Sequence, residues 1–213
     1  TFKFYLAKYP DGPSTADAAA MEAECLFKQG QAAEALAAYA KLKPLPNPDA
    51  QAAVLLHAGQ AAAQLARWPE SAAWLEKLVG QQPASPMLAD ALCELGVAQQ
   101  HLGKPAEALA AWRQAIATSD REPAARAQFL IGRMQSERND SKEALKSFLK
   151  VLYGYSYPKW QAEAAYEAAR CFEKLGQRPE AVGMYRGLVE KFPTNEKIDA
   201  AKERLAELQG DVK

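Results

Sequence analysis

The stretch GVAQQHLGKPAEALAAWRQA, residues 96–115, decides how this chain is read. It carries Gly96 inside one apolar-periodic run, a breaker at Gly103, then Glu107-Ala108, Trp112 and Ala115 in a second run. The same arrangement recurs along the chain. Glu-Ala or Glu-Ser appears as Glu34-Ala35, Glu70-Ser71, Glu107-Ala108, Glu143-Ala144 and Glu180-Ala181, at steps of 36, 37, 36 and 37 residues. Twelve residues before each second member stands a small residue: Ala23, Gly59, Gly96, Gly132 and Ala169. Four after it stands a large apolar one: Tyr39, Leu75, Trp112, Phe148 and Tyr185. Three further on come Leu42, Leu78, Ala115, Val151 and Leu188. Between the two runs sits a breaker column of Gly30, Ala66, Gly103, Asn139 and Gly176. Columns that hold one phase mean that one structural unit was copied and stacked.

Each column has a physical reason. A glycine inside a helix lowers its stability by roughly 0.5–1 kcal/mol relative to alanine, so the small column marks a place where another helix comes close, met by the small residue of the second helix. The breaker supplies the positive φ that ends the first helix. The apolar positions after Glu-Ala are the buried stripe of the second helix. The glutamate falls in that helix's first turn, where a carboxylate suits the positive end of the dipole, and Pro69, Pro105 and Pro179 suit the same turn. The reading predicts an all-α chain of helix-turn-helix units and no strand.

These residues resemble the tetratricopeptide repeat, whose pattern also places a proline at the exit of each unit, matched here by Pro83 and Pro193. The usual period is about 34 residues, so each unit here carries two or three more, expected in links where Pro44, Pro46, Pro48, Pro83, Pro86 and Pro158 cluster. The resemblance implies a right-handed superhelical solenoid over residues 1–213. It would comprise the end of a preceding repeat at 1–12, repeats at about 16–48, 52–85, 89–121, 125–157 and 162–194, and a capping helix at 195–210. Ile198, Ala201, Leu205 and Leu208 give that last helix its apolar stripe, with charges toward water as a solenoid end requires. Phe2, Tyr5, Leu6 and Tyr9, followed by Pro10, read as the end of an earlier second helix, and the first residue is Thr. The expectation is a fragment of a longer bacterial protein, truncated at its N-terminal side. Tyr9-Pro10-Asp11, Leu175-Gly176 and Phe192-Pro193 are similar to bacterial repeats of the Tol–Pal-associated periplasmic coordinator. They are similar also to those of the repeat lipoprotein of the outer-membrane barrel assembly machine. That resemblance implies a periplasmic or cell-envelope setting rather than the cytoplasm.

Composition narrows the functions. The 26 basic and 26 acidic residues balance, which argues against nucleic acid, since that needs a basic stripe. The longest apolar stretch is far short of a membrane span. Cys25, Cys93 and Cys171 are an odd set spread over distant repeats, unlike a disulfide framework; buried packing positions are expected for them. His57 and His101 lack ligand-type partners at helical spacing, and zinc wants three or four ligands, so no metal or other cofactor is expected. No phosphate loop, nucleophile elbow or paired acid motif is present, and no enzyme is expected.

In this family the first helix of each pair lines a concave groove. Carried onto this sequence, groove positions are His57, Gln60 and Gln64, then Glu94, Val97 and Gln100, then Phe129 and Arg133, then Tyr166 and Arg170. With Arg126, the C-terminal half interleaves arginines with aromatics, the types that anchor interfaces, and arginine grips carboxylates bidentately. The expectation is a preorganised protein-interaction scaffold for an extended or helical peptide of acidic or C-terminal carboxylate character. Against it stands the simpler pairing of these arginines with Glu94, Glu137, Glu163 or Glu167. A second candidate surface is the aromatic link Tyr153, Gly154, Tyr155, Ser156, Tyr157, Pro158, Lys159, Trp160. Either Tyr153 and Trp160 cap a seam between repeats, or Tyr155 and Tyr157 form a sticky patch for a partner or self-association. The rival functions are a structural spacer or self-association module with an empty groove, an RNA binder, which the zero net charge disfavours, and a regulator of an enzyme in a missing N-terminal part.

Overall fold

A computed structural model describes Phe4, Lys8, Tyr9, Gly12 and residues 14–82 and 84–210. Phe2, Tyr5, Leu6, Pro10, Asp11 and Pro83 lie outside the described residues. Among the described residues the structure is all helix and turn, with no strand. Five hairpins and a final helix follow in order. They are α1 (Thr15–Lys28) with α2 (Ala32–Tyr39), α3 (Pro48–Gln64) with α4 (Trp68–Gln81), and α5 (Leu88–His101) with α6 (Pro105–Thr118). Then come α7 (Glu122–Glu137) with α8 (Ser141–Gly154), α9 (Pro158–Lys174) with α10 (Arg178–Lys191), and α11 (Ile198–Gly210). The chain divides into two compact units, Thr1–Ala115 and Ile116–Lys213.

The turn column works as its chemistry requires. All five breakers adopt positive φ: Gly30 at 75°, Ala66 at 55°, Gly103 at 71°, Asn139 at 60° and Gly176 at 72°. Each closes its first helix with the same pair of bonds. In the first hairpin Gly30 N–H donates to Phe27 O at 2.9 Å and Gln31 N–H to Leu26 O at 3.0 Å. The fourth repeats this with Asn139 to Ser136 O and Asp140 to Gln135 O, both 3.0 Å. This double bond set satisfies carbonyls that a helix end otherwise leaves orphaned. All five clock glutamates lie in the first turn of a second helix.

The small column has a different partner from the one expected. A Cβ built on Gly59 would meet Leu75 at 2.6 Å, one on Gly96 would meet Trp112 at 2.2 Å, and one on Gly132 would meet Phe148 at 2.7 Å. The glycines therefore make room for the large residue sixteen positions later, not for the small residue of the second helix. Leu75, Trp112 and Phe148 are fully buried in consequence, and Trp112 Nε1 donates to Cys93 O at 3.0 Å.

The additional residues of each period are not all in links. The links 82–87 and 192–197 are six residues long, but 119–121 and 155–157 have only three. There the length goes into the following first helix, 16 residues in α7 and 17 in α9. The first link, 40–47, is the longest because α2 stops at Tyr39 ahead of three closely spaced prolines. Leu42 thus lies beyond the helix whose stripe it was expected to join. It still packs against the first core cluster, while Leu45 is buried with its N–H held by Gln51 Oε1 at 2.7 Å. At the C-terminal end Ile198 and Ala201 are buried and Leu205 and Leu208 pack against the last cluster. Arg178 caps the helix by donating to Leu208 O, from Nε at 2.9 Å.

Candidate functional site

The site is built on the first helices of the C-terminal unit. Pro123 and Pro158 sit in the first turns of α7 and α9, where a missing N–H costs nothing. Their apolar stripes then bury Ala124, Ala127 and Ile131 on α7 and Ala164, Ala168 and Cys171 on α9. Beside these stripes stand Arg133, Glu137, Glu163, Glu167, Arg170 and Lys174. With Lys197, which precedes α11, they line an open depression of about 430 Å³. A neighbouring depression of about 460 Å³ shares Arg170 and Lys174 and adds Tyr166, Tyr185 and Arg204.

Of the residues named from sequence, Arg133, Arg170 and Tyr166 are brought to this face. Arg133 lies 3.8 Å from Glu137 and Arg170 lies 3.3 Å from Glu167, all on their own helices. The pairing with neighbouring glutamates is thus present, and both arginines remain half exposed. Phe129 also lines the depression, but from within the core: it is 4 % exposed, its ring 5.5 Å from both Phe148 and Trp160. An aromatic beside an arginine in sequence gave no sign that the ring turns inward. Arg126 is half-buried and does not line this depression. In the N-terminal unit Gln60 Nε2 donates to Glu94 Oε1 at 3.4 Å, and Gln64 is exposed.

Burial raises the Glu163 carboxyl above its ordinary pKa, against the opposing pull of Lys197. Glu173 behaves oppositely. Burial would raise it, but bonds from Arg204 Nε at 2.7 Å and Tyr185 Oη at 2.6 Å outweigh that and hold it below the usual range. Glu24 in the N-terminal unit has the same construction: burial is outweighed by His57 Nδ1 at 2.8 Å and Tyr39 Oη at 2.7 Å. Sequence reasoning did not find either carboxylate, since partners 33 and 31 residues away share no motif with them.

His57 also stacks on Phe27 at 4.9 Å and His101 on Trp68 at 3.8 Å, so both histidines pack between helices. Among the described residues no group of three or more metal-ligating side chains gathers. No helix among them is long and apolar enough to cross a membrane. Cys25 is exposed, contrary to the buried position expected; Cys93 and Cys171 are buried, and burial pushes the Cys171 thiol up to about 11.

The aromatic link is also reassigned. Tyr153 and Gly154 belong to α8 and Pro158 to Trp160 to α9, leaving only Tyr155, Ser156 and Tyr157 between helices. Trp160 packs against the Phe129 cluster and donates to Glu122 Oε1 at 3.1 Å. Tyr153 lies at the rim between the fourth and fifth hairpins and stays 73 % exposed. Tyr155 and Tyr157 are half-buried, and burial raises the Tyr155 hydroxyl.

Comparison with known proteins agrees with this architecture. Solved structures that share the fold include the MamA protein, 20 % identical, with a TM-score of 0.66 over 84 % of this chain and 93 % of that one. Another is YrrB, described as a tetratricopeptide repeat protein with an unusual peptide-binding site, 21 % identical, TM-score 0.63, over 95 % and 98 %. A tetratricopeptide repeat protein from Parabacteroides merdae, 15 % identical, aligns over 98 % of this chain and 77 % of its own with a TM-score of 0.70. No curated protein matches the chain in sequence. Family models described as tetratricopeptide repeat match residues 1–50 and 93–159, and residues 163–195. With more than half its length so matched, this chain belongs to the tetratricopeptide repeat family.

Proposed function

We propose that this chain is a non-enzymatic protein-interaction scaffold, and that its ligand is a peptide of acidic or C-terminal carboxylate character seated on α7 and α9. Repeats of this family bind peptide or protein partners. The observation that carries the finer reading is the depression over Phe129, which gathers Arg133, Arg170, Lys174 and Lys197 from three parts of the chain. Both arginines keep about half of their side chains in solvent, paired with Glu137 and with the more buried Glu167 on their own helices, and pairs near the surface contribute about 0–1 kcal/mol. A ligand carboxylate therefore replaces Glu137 or Glu167 at small cost and gains a bidentate grip. The peptide-binding site named for YrrB supports the same direction. That the five hairpins serve as one array, in a bacterial envelope setting, belongs to the same proposal.

A second reading, a spacer with no groove ligand, draws support from those same Arg133–Glu137 and Arg170–Glu167 pairs. Affinity purification followed by anisotropy of the recovered peptide separates them. Arg133→Ala and Arg170→Ala should each weaken binding about tenfold, as loss of an interface anchor does. Unchanged affinity in both variants overturns the groove, and a chain that recovers no peptide favours the spacer.

A further inference from the structure

On the face formed by α8 and α10, away from the arginine cleft, lies an apolar slot of about 200 Å³. Leu152 and Tyr153 form one wall, Gly183, Met184 and Gly187 the other, and Ala165 the floor. Its volume is about that of one aromatic side chain. At its rim stands Tyr153, 73 % exposed. The two glycines are one turn apart on α10, and a Cβ on either would meet nothing within 4 Å. Unlike Gly59, Gly96 and Gly132, they make room for no residue of this chain, although glycine weakens a helix relative to alanine. Knob and hole thus lie side by side on one surface.

We infer that this face pairs with a second copy of the chain about a two-fold axis running along α8 and α10, each Tyr153 entering the other copy's slot over Gly183 and Gly187. The hairpin links are short, so α8 and α10 both run antiparallel to α9 and parallel to each other. An axis along them lays α8 of one copy against α10 of the other at the same level, which is an isologous, closed contact. Charge follows the same register. Lys191 lines the slot one turn beyond Gly187 and meets the C-terminal end of the other α8, whose dipole favours a cation. An antiparallel arrangement would instead set the exposed row Lys142, Lys146 and Lys150 against its own copy.

Sedimentation velocity of the 213-residue chain, up to the millimolar range, tests this. A reversible dimer is expected, weakened about tenfold by Tyr153→Ser. Gly183→Ala with Gly187→Ala should weaken it as much while leaving the fold at least as thermally stable, since both methyl groups enter open space. Arg133→Ala and Arg170→Ala should leave the dimer unchanged, which keeps this result separate from the groove. A chain that stays monomeric throughout, or a dimer indifferent to Tyr153→Ser and to the alanine pair, overturns the inference. A monomer that instead crosslinks a foreign protein through Tyr153 gives the slot another occupant and overturns it too.

Discussion

The first and fifth hairpins solve the same packing problem differently from the three between them. The inner hairpins place glycine in the small column and let Leu75, Trp112 or Phe148 fill the space. The outer two keep Ala23 and Ala169 and use Tyr39 and Tyr185, whose rings are 1 % exposed. Each of those hydroxyls donates to a glutamate of the first helix, Glu24 or Glu173. That glutamate is in turn bonded by the element that follows, His57 of α3 or Arg204 of α11. The difference teaches that one column position carries two kinds of joint. In the glycine hairpins the large residue of the column packs by shape alone or bonds within its own hairpin, whereas in the tyrosine hairpins that same residue joins a polar chain that runs on to the next helix.

The comparison breaks most severely at Gly96. Gly96→Ala drives a methyl into Trp112, which cannot turn without leaving its bond to Cys93 O. A loss of about 3 kcal/mol is expected by chemical denaturation, combining overpacking with a broken buried bond. Adding Trp112→Tyr to that variant imitates the outer hairpins and should recover part of the loss; no recovery would show that the two joints are not interchangeable.

Tyr39→Phe comes next, with an expected loss of about 1.5 kcal/mol, the low end for a bond to a charged group because Glu24 is partly exposed. Its pH dependence has a definite sign. Because Glu24 is held below its ordinary pKa, the linked stability is complete above the unfolded value of about 4.3 and is lost as pH falls through the lower folded value. The melting-temperature gap between wild type and Tyr39→Phe should therefore close on acidification below about pH 4. A gap that widens there would contradict the Tyr39–Glu24 link.

Two smaller changes should stabilise the second hairpin, which departs from its neighbours at two columns. Ser71 replaces the clock alanine, and its Oγ is buried without a hydrogen-bond partner. Ser71→Ala should raise stability by about 1 kcal/mol. Ala66 holds the left-handed turn at φ 55°, where a side chain costs about 1–2 kcal/mol. Ala66→Gly should recover about half of that once the added freedom of the unfolded chain is subtracted. Thermal melts check both, and a fall in either would mean the inner hairpins are not equivalent.

Much of this was legible in the residues because phase constrains it. The breaker column marked five left-handed turns, including the two occupied by Ala66 and Asn139, where residue type alone argues weakly. The clock glutamates and the capping stripe from Ile198 to Leu208 were legible for the same reason. What phase cannot encode is direction in space. It gave no means of telling that Gly96 faces Trp112, that Phe129 turns inward while Arg133 does not, or that Tyr153 continues α8 into solvent. The Glu24–His57 and Glu173–Arg204 links and the open glycines of α10 lie off the repeat, in single copies, where periodicity carries no signal.

The uneven placement of the three thiols gives the folded chain its own reporter. Cys25 lies at the surface of α1, while Cys93 and Cys171 are sealed between helices, and the thiolate of Cys171 forms only near the top of the alkaline range. An alkylating probe at neutral pH therefore attaches once to an intact chain and three times to an opened one. A fluorophore or spin label can be installed on α1 without changing a residue, and the second and third equivalents of reagent report the opening of the helices that carry Cys93 and Cys171.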